Sequence, residues 1–275
     1  MRYKLIVVDM DGTLLNSDHE VGEETKKTLK EAMDRDIKVA IATGRIYPSA
    51  KHYASLLGIS TPIISCNGAI VKEGMDDKVL FCDAMRQEDV IKTIEICKEY
   101  DIHFHYYDDD VFCIEKERYN SPQFQDWVFK DSLEDHMEVI LLDDALKYVK
   151  EKKNLVLKFT IMDDDDIKLK KVWDEVAKMP TVEMARSWHN NMEIMNKDVS
   201  KGKAIEALGK RYNLKKEEII AFGDNFNDVS MLDYAGTFVA MENAVDYLKE
   251  RADYITATND DNGVAKGIRK IVFNE

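Results

Sequence analysis

Asp9 and Asp11 stand two residues apart at the end of a short apolar run, Leu5-Ile6-Val7-Val8. An extended chain has a period of two, so both carboxylates leave it on the same side. Two carboxylates held together in a partly buried cleft repel one another, and a divalent cation removes that cost. Magnesium suits the pair, because it is hard, prefers oxygen and keeps waters beside one or two carboxylates. Gly12 follows and permits a tight turn. Asp224, with Asn227 and Asp228, comes after a second apolar run, Ile219 to Phe222. Thr43 follows the run Ile37 to Ala42 and offers a hydroxyl beside a neighbouring backbone amide. Ser200 is a fitting N-cap, which places Lys201 at the start of a helix through Ala204, Ile205 and Leu208. A cation and donors of this kind fit a phosphoryl group.

These groups are far apart in the chain, so the elements between them must gather them. Leu5 to Val8 is a continuous apolar run, the pattern of a strand buried on both faces. Glu23 to Asp34 spaces Leu29, Ala32 and Met33 for one helical face. Strands at Ile37–Ala42 and around Pro62–Ser65 follow, with a helix between them, and the second ends in Cys66-Asn67-Gly68. This β-α-β-α-β order predicts a parallel sheet wrapped by helices. In such a sheet ligands bind beyond the carboxyl ends of the strands, where the polar residues above fall. From about Asp83 to Trp188 the style changes. A helical pattern (Val90, Ile91, Ile94, Cys97) mixes with strand-like stretches at His103–Tyr107, Val111–Ile114 and Leu155–Ile161. Strands at Ile219–Phe222 and Thr237–Ala240 then restore the first style. The expectation is an α/β protein: a Rossmann-like core with a parallel sheet from residues 1–82 and 190–275, interrupted by an inserted α+β cap domain at 83–189.

The net charge of −14 argues against nucleic acid, which is bound through clustered Lys and Arg. An acidic chain still accepts an anion where a cation reverses the field inside one cleft. Cys66, Cys82, Cys97 and Cys113 form no C-x-x-C pair, so neither a zinc site nor a disulfide framework is expected. They read as small buried hydrophobes in a reducing cytosol. The first apolar run is stopped by Asp9, far short of a membrane span, and no signal peptide precedes it. A cytoplasmic protein without membrane partners is the expectation.

Four motifs then make a resemblance specific. Asp9-Met10-Asp11-Gly12-Thr13-Leu14 resembles the first motif of haloacid dehalogenase (HAD)-type phosphatases, and Ala42-Thr43-Gly44-Arg45 the second. Ser200-Lys201-Gly202 resembles the third and Gly223-Asp224-Asn225-Phe226-Asn227-Asp228 the fourth. They stand in family order, with the insert between the second and third, as in the Cof-type subfamily (class IIB) with its large α/β cap. Ser65-Cys66-Asn67-Gly68-Ala69, Met192-Glu193-Ile194 and Met241-Glu242-Asn243-Ala244 are similar to companion segments there. The resemblance covers the whole chain and is closest to bacterial sugar-phosphate phosphatases. It implies that Asp9 attacks phosphorus and becomes an aspartyl-phosphate, with Asp11 as general acid and then general base. It implies Mg2+ on the Asp9 side chain, the Asp11 backbone carbonyl and Asp224, with Asp228 orienting them from behind. Thr43, the amides of Gly44 and Met10, Lys201 and Asn227 would hold the phosphate oxygens. Asp at position 11 implies phosphomonoester chemistry rather than dehalogenation or an ATPase cycle. The implied partner is a small phosphorylated metabolite, over which the cap closes to exclude bulk water.

Other readings stand beside these. Arg45 fits a structural ion pair as well as a substrate contact, and Asn67 fits loop hydrogen bonding as well as a site role. Glu193 reads as structural, positioning Lys201 or a loop. The acidic runs Asp108–Asp110 and Asp163–Asp166 read as solvated turns or helix starts. His103 and His105, with Tyr106, Tyr107, Trp188 and His189, fit sheet packing better than a substrate-facing side of the cap. A sugar-phosphate phosphomutase ranks lower, because residues 83–189 hold no dense Arg/Lys cluster for a second phosphate. A non-catalytic phosphometabolite sensor has no need of the Asp9/Asp11 pair. Nothing in the pattern names one substrate, flavin and pyridoxal phosphates included, or an oligomeric state.

Overall fold

The computed structural model describes residues 2–58, 62–74, 76–108, 111–120, 138–152, 155–186 and 189–275. Asp109, Asp110 and Trp188, named above, lie outside the described residues. The chain divides into two compact units, residues 1–82 with 200–275, and residues 83–199.

The larger unit begins with β1 (Leu5–Asp9), β2 (Lys38–Ala42), β3 (Ile63–Ser65), β4 (Ile70–Lys72) and β5 (Val79–Cys82). The smaller unit holds β6 (His103–Asp108), β7 (Val111–Glu115), β8 (Glu138–Leu142), β9 (Val156–Met162), β10 (Val182–Ala185) and β11 (Asn191–Asn196). The chain then returns with β12 (Ile219–Gly223), β13 (Thr237–Ala240) and β14 (Tyr254–Ile255).

The larger sheet has the order β14-β13-β12-β1-β2-β3-β4-β5. Its strands from β14 to β3 are parallel. Leu5, Ile6, Val7 and Val8 are wholly buried, as a central strand covered on both faces requires. The Glu23–Asp34 helix buries Thr25, Thr28, Leu29 and Ala32, with Met33 at the margin. One edge departs from the all-parallel expectation: β3, β4 and β5 run antiparallel. The turns joining them are too short for the crossover a parallel neighbour needs.

In the smaller sheet the order is β10-β11-β9-β6-β7-β8, antiparallel except for β7 with β8. One face packs Phe104, Tyr106, Phe159, Ile161, Met192 and Ile194 with helical residues such as Val90, Ile94 and Leu169. Alternation sends His105, Tyr107, Lys158, Thr160 and Glu193 to the opposite face. Tyr106 therefore does not share a face with His103, His105 and Tyr107. The His105 ring stacks on Phe112 at 4.6 Å and meets Tyr107 edge-on at 5.5 Å. Burial, and next the charge of Lys158, push its pKa down to about 3. In the run Asp163–Asp166, Asp165 caps the Asp166–Val176 helix, and Asp163 pairs with Lys168 at 2.9 Å.

The boundary at 190 needs correction. Residues 190–199 belong to the smaller unit, since β11 is paired on both sides, with β9 and β10. Met192-Glu193-Ile194 alternates core and opposite face, unlike the continuous apolar runs of the larger sheet. Among the described residues no helix is long and apolar enough to cross a membrane, and no disulfide joins any two of the four cysteines.

Candidate active site

Parallel, in-register pairing brings three strand ends to one edge of the larger sheet. Asp9 ends β1 opposite Ala42, and Val8 lies opposite Phe222. Thr43 and Asp224 therefore emerge beside Asp9, although they are remote from it in sequence. The Lys201–Arg211 helix begins there too, its first turn fixed by the Ser200 side chain, which accepts the Lys203 N–H at 3.2 Å.

Lys201 has no exposed surface. Its Nζ donates to Asp9 Oδ1 at 2.5 Å and to Asp228 Oδ1 at 2.6 Å. Burial opposes its charge, but the carboxylates of Asp228 and Asp9 outweigh that and raise its pKa. Burial pushes the Asp9 carboxyl well above the usual range, the charge of Asp228 adds to this, and Lys201 opposes it. Asp224 is pushed up to about 6 by burial and then by Asp228. Asp228 is fully engaged: its second oxygen accepts the N–H groups of Asp224 (2.9 Å) and Asn225 (3.0 Å).

Carboxylate oxygens of Asp9, Asp224 and Asp228 lie within 4.8 Å of one another. Three carboxylates face one ammonium, and the two uncompensated negative charges match a divalent cation. All donors are hard oxygen, so the residues fit magnesium. The Asp11 side chain is outside this cluster, which leaves its backbone carbonyl as its one candidate ligand atom. Gly12 has φ +77°, and a Cβ there would lie 2.4 Å from Asp224 Oδ2, so only glycine fits beside the cluster.

Asp11 meets Arg45 instead. Arg45 Nε donates to Oδ2 at 2.9 Å and Nη2 to Oδ1 at 2.6 Å. Of the two roles open to Arg45, the structure shows an ion pair. Thr43 is buried, and its Oγ1 accepts the Arg45 N–H at 3.0 Å, which leaves the hydroxyl proton to be donated. Asn67 stands at φ 55°, and its N–H donates to the Thr43 carbonyl at 2.9 Å. Its Oδ1 accepts from Asn227 Nδ2 at 3.2 Å and would lie 2.9 Å from a Cβ at Gly44. Loop support and proximity to the site thus coexist in Asn67. The backbone of Met10, whose side chain is buried, lies between Asp9 and Asp11. Glu193 accepts from Lys158 Nζ at 2.9 Å within the smaller unit.

Two supporting residues carried no assigned role in the sequence reading. Thr13 Oγ1 donates to Asp224 Oδ1 at 2.8 Å, and Asn243 Nδ2 donates to the Gly12 carbonyl at 2.8 Å. Both lie inside quoted segments, so position was the available signal, although neither residue type alone marks chemistry.

Residues 6–268 match the haloacid dehalogenase-like hydrolase family. The chain is similar to the 5-amino-6-(5-phospho-D-ribitylamino)uracil phosphatase YcsE of Bacillus subtilis, 31% identical over 98% of this chain and 96% of that one. It is similar to the pyridoxal phosphate phosphatase YbhA of Escherichia coli, 31% identical over 98% of each. A solved HAD subclass IIB sugar phosphatase superposes with a TM-score of 0.80 at 26% identity, over 98% of this chain and 99% of that one.

Proposed function

Because the chain belongs to the haloacid dehalogenase-like hydrolase family and is a phosphoric monoester hydrolase, we propose that it is a magnesium-dependent phosphatase of small phosphorylated metabolites, sugar phosphates first. The observation that carries this reading is the buried cluster of Asp9, Asp224 and Asp228 around Lys201.

Asp9 is the nucleophile. Its carboxylate attacks phosphorus while the ester P–O bond breaks, and Asp11 gives the leaving oxygen a proton. Asp11 then takes a proton from water as that water attacks phosphorus, which frees phosphate and restores the Asp9 carboxylate. Lys201, the Thr43 hydroxyl, the Met10 and Gly44 amides and Asn227 stabilise the phosphoryl oxygens. Asp9, Asp224 and the Asp11 carbonyl would hold magnesium, and Asp228 fixes Asp9 through Lys201 and Asp224 through the 224–225 amides. When bound, magnesium supplies positive charge against the phosphoryl oxygens and the crowded carboxylates. The named relatives support a small ester, since one acts on a ribityl phosphate and another on pyridoxal phosphate. Selection among esters falls to the inserted unit, and four cysteines with no disulfide between them fit a cytoplasmic setting.

The test is phosphate release from a panel of phosphorylated metabolites, with and without magnesium, beside Asp9→Asn. Magnesium-dependent release from a few sugar phosphates, abolished in the folded variant, is the expected outcome. Near-normal hydrolysis by Asp9→Asn removes Asp9 as nucleophile. An isomer formed without phosphate release replaces hydrolysis by a mutase reaction.

A further inference from the structure

We propose that Arg45 is a positioning residue for Asp11 in its second task, taking the proton from the hydrolytic water. The inference rests on the reading of Asp9 as nucleophile and Asp11 as acid and base. The Arg45 fork meets both Asp11 oxygens in parallel, at 2.9 and 2.6 Å, the bidentate geometry that fixes a carboxylate's plane as well as its place. The Asp11 side chain is 48% exposed, so without this partner little would restrict its rotamers.

Arg45 is itself held from several sides. Its guanidinium lies over the Tyr53 ring at 5.2 Å, Nη1 donates to Ser49 Oγ at 3.4 Å, and its backbone N–H donates to Thr43 Oγ1. The fork is therefore tied to the Thr43 loop and to the Tyr47–Leu56 helix behind it.

The two half-reactions ask different things of Asp11. To protonate a leaving oxygen it must present an O–H, and two N–H donors facing both oxygens obstruct that until one contact opens. To act as base it must accept. A carboxylate has about four acceptor positions, and Arg45 fills two, leaving room for a water with the clamp intact. In that step the water O–H bond breaks and its proton goes to Asp11. The new O–P bond forms, and the P–O bond to Asp9 breaks with its electron pair returning to the Asp9 carboxylate. Loss of Arg45 should then slow hydrolysis of the aspartyl-phosphate more than its formation, provided the leaving group departs without a proton.

The experiment is rapid mixing of Arg45→Ala, Arg45→Gln and Arg45→Lys with 4-nitrophenyl phosphate, whose leaving group is a stable anion. Expected for Arg45→Ala is a burst of about one nitrophenolate per folded site, followed by turnover lowered roughly 30-fold, less than the roughly 100- to 10,000-fold that a whole general base contributes, since Asp11 itself remains. Acid-quenched protein should carry hydroxylamine-labile phosphate, Arg45→Gln should behave alike, and added guanidinium should restore turnover. Arg45→Lys, with a point donor in place of a fork, should fall between. A raised KM with no burst would show that Arg45 holds the substrate phosphate and overturn the proposal, as would unchanged turnover. The burst counts folded sites, so misfolding cannot imitate it. Asp11→Asn is the control for the underlying reading. If it traps phosphoenzyme and Arg45→Ala does not, Arg45 alone loses its role. If neither traps any, the acid–base reading of Asp11 falls with it.

Discussion

Lys201 reaches Asp9 and Asp228 from a position with no exposed surface, so its removal would leave two buried carboxylates without their cation. Removing one partner of a buried ion pair costs about 3–5 kcal/mol. Lys201→Ala is expected to lose turnover and to be destabilised by that order at pH 8. The penalty should shrink at pH 5. Asp9 already has a raised pKa in the folded protein, and losing Lys201 raises it further. A carboxyl whose folded pKa exceeds its unfolded value contributes stability at low pH and loses it as pH rises through the folded pKa. Urea melts of the variant at the two pH values check this. At this scale Asp9, Lys201 and Asp224 were legible in the sequence because each ends or directly follows a strand or opens a helix, and Asp228 because it shares the short polar segment after β12. The Arg45–Asp11 pair was not, since a salt bridge depends on rotamers that no spacing encodes.

The helix that carries Lys201 is set by a close approach. A Cβ on Gly202 would lie 2.2 Å from the Ser230 carbonyl oxygen, while the Gly202 N–H donates to Ser230 Oγ at 3.0 Å. Backbone opposes the added carbon, so it cannot be relieved by turning a side chain. Gly202→Ala is expected to cost roughly 1–3 kcal/mol, as overpacking does, and to lower kcat by moving Lys201. Denaturant midpoints and phosphate release, read together, test it. The strands beneath the site could be read from composition: β1, β2 and β12 are short apolar runs closed by Asp9, Thr43 and Gly223-Asp224, and β13 is a short apolar run. β11 was placed in the wrong unit because its chain position beside Ser200 outweighed its alternating pattern. The antiparallel turn-back of β4 and β5 escaped notice because both strands are only three or four residues long.

Across the whole molecule, the chain carries −14 and concentrates buried acid at one place. Asp224 moves from 3.8 to about 6, so protons compete for the magnesium site below that pH. In metal-free protein the Asp224 contribution to stability fades as pH rises from about 4 through about 6, and metal binding restores it. Lys201 stays charged throughout this window. The rise in Tm on adding magnesium is therefore expected to be larger at pH 8 than at pH 5, and an equal rise at both would place the metal elsewhere. The division into units was legible from the change of pattern near Asp83, whereas the return point depended on the pairing of β11. The inserted unit leaves from β5, an edge strand, and its two ends are tied by Asn196 Nδ2 donating to Asp83 Oδ1 at 2.5 Å. A segment whose ends lie together can be exchanged, lengthened or borrowed without rethreading its host. The residues proposed to break the ester and those proposed to choose it can then diverge at separate rates, and a lineage can acquire a new substrate while its hydrolytic machinery stays untouched.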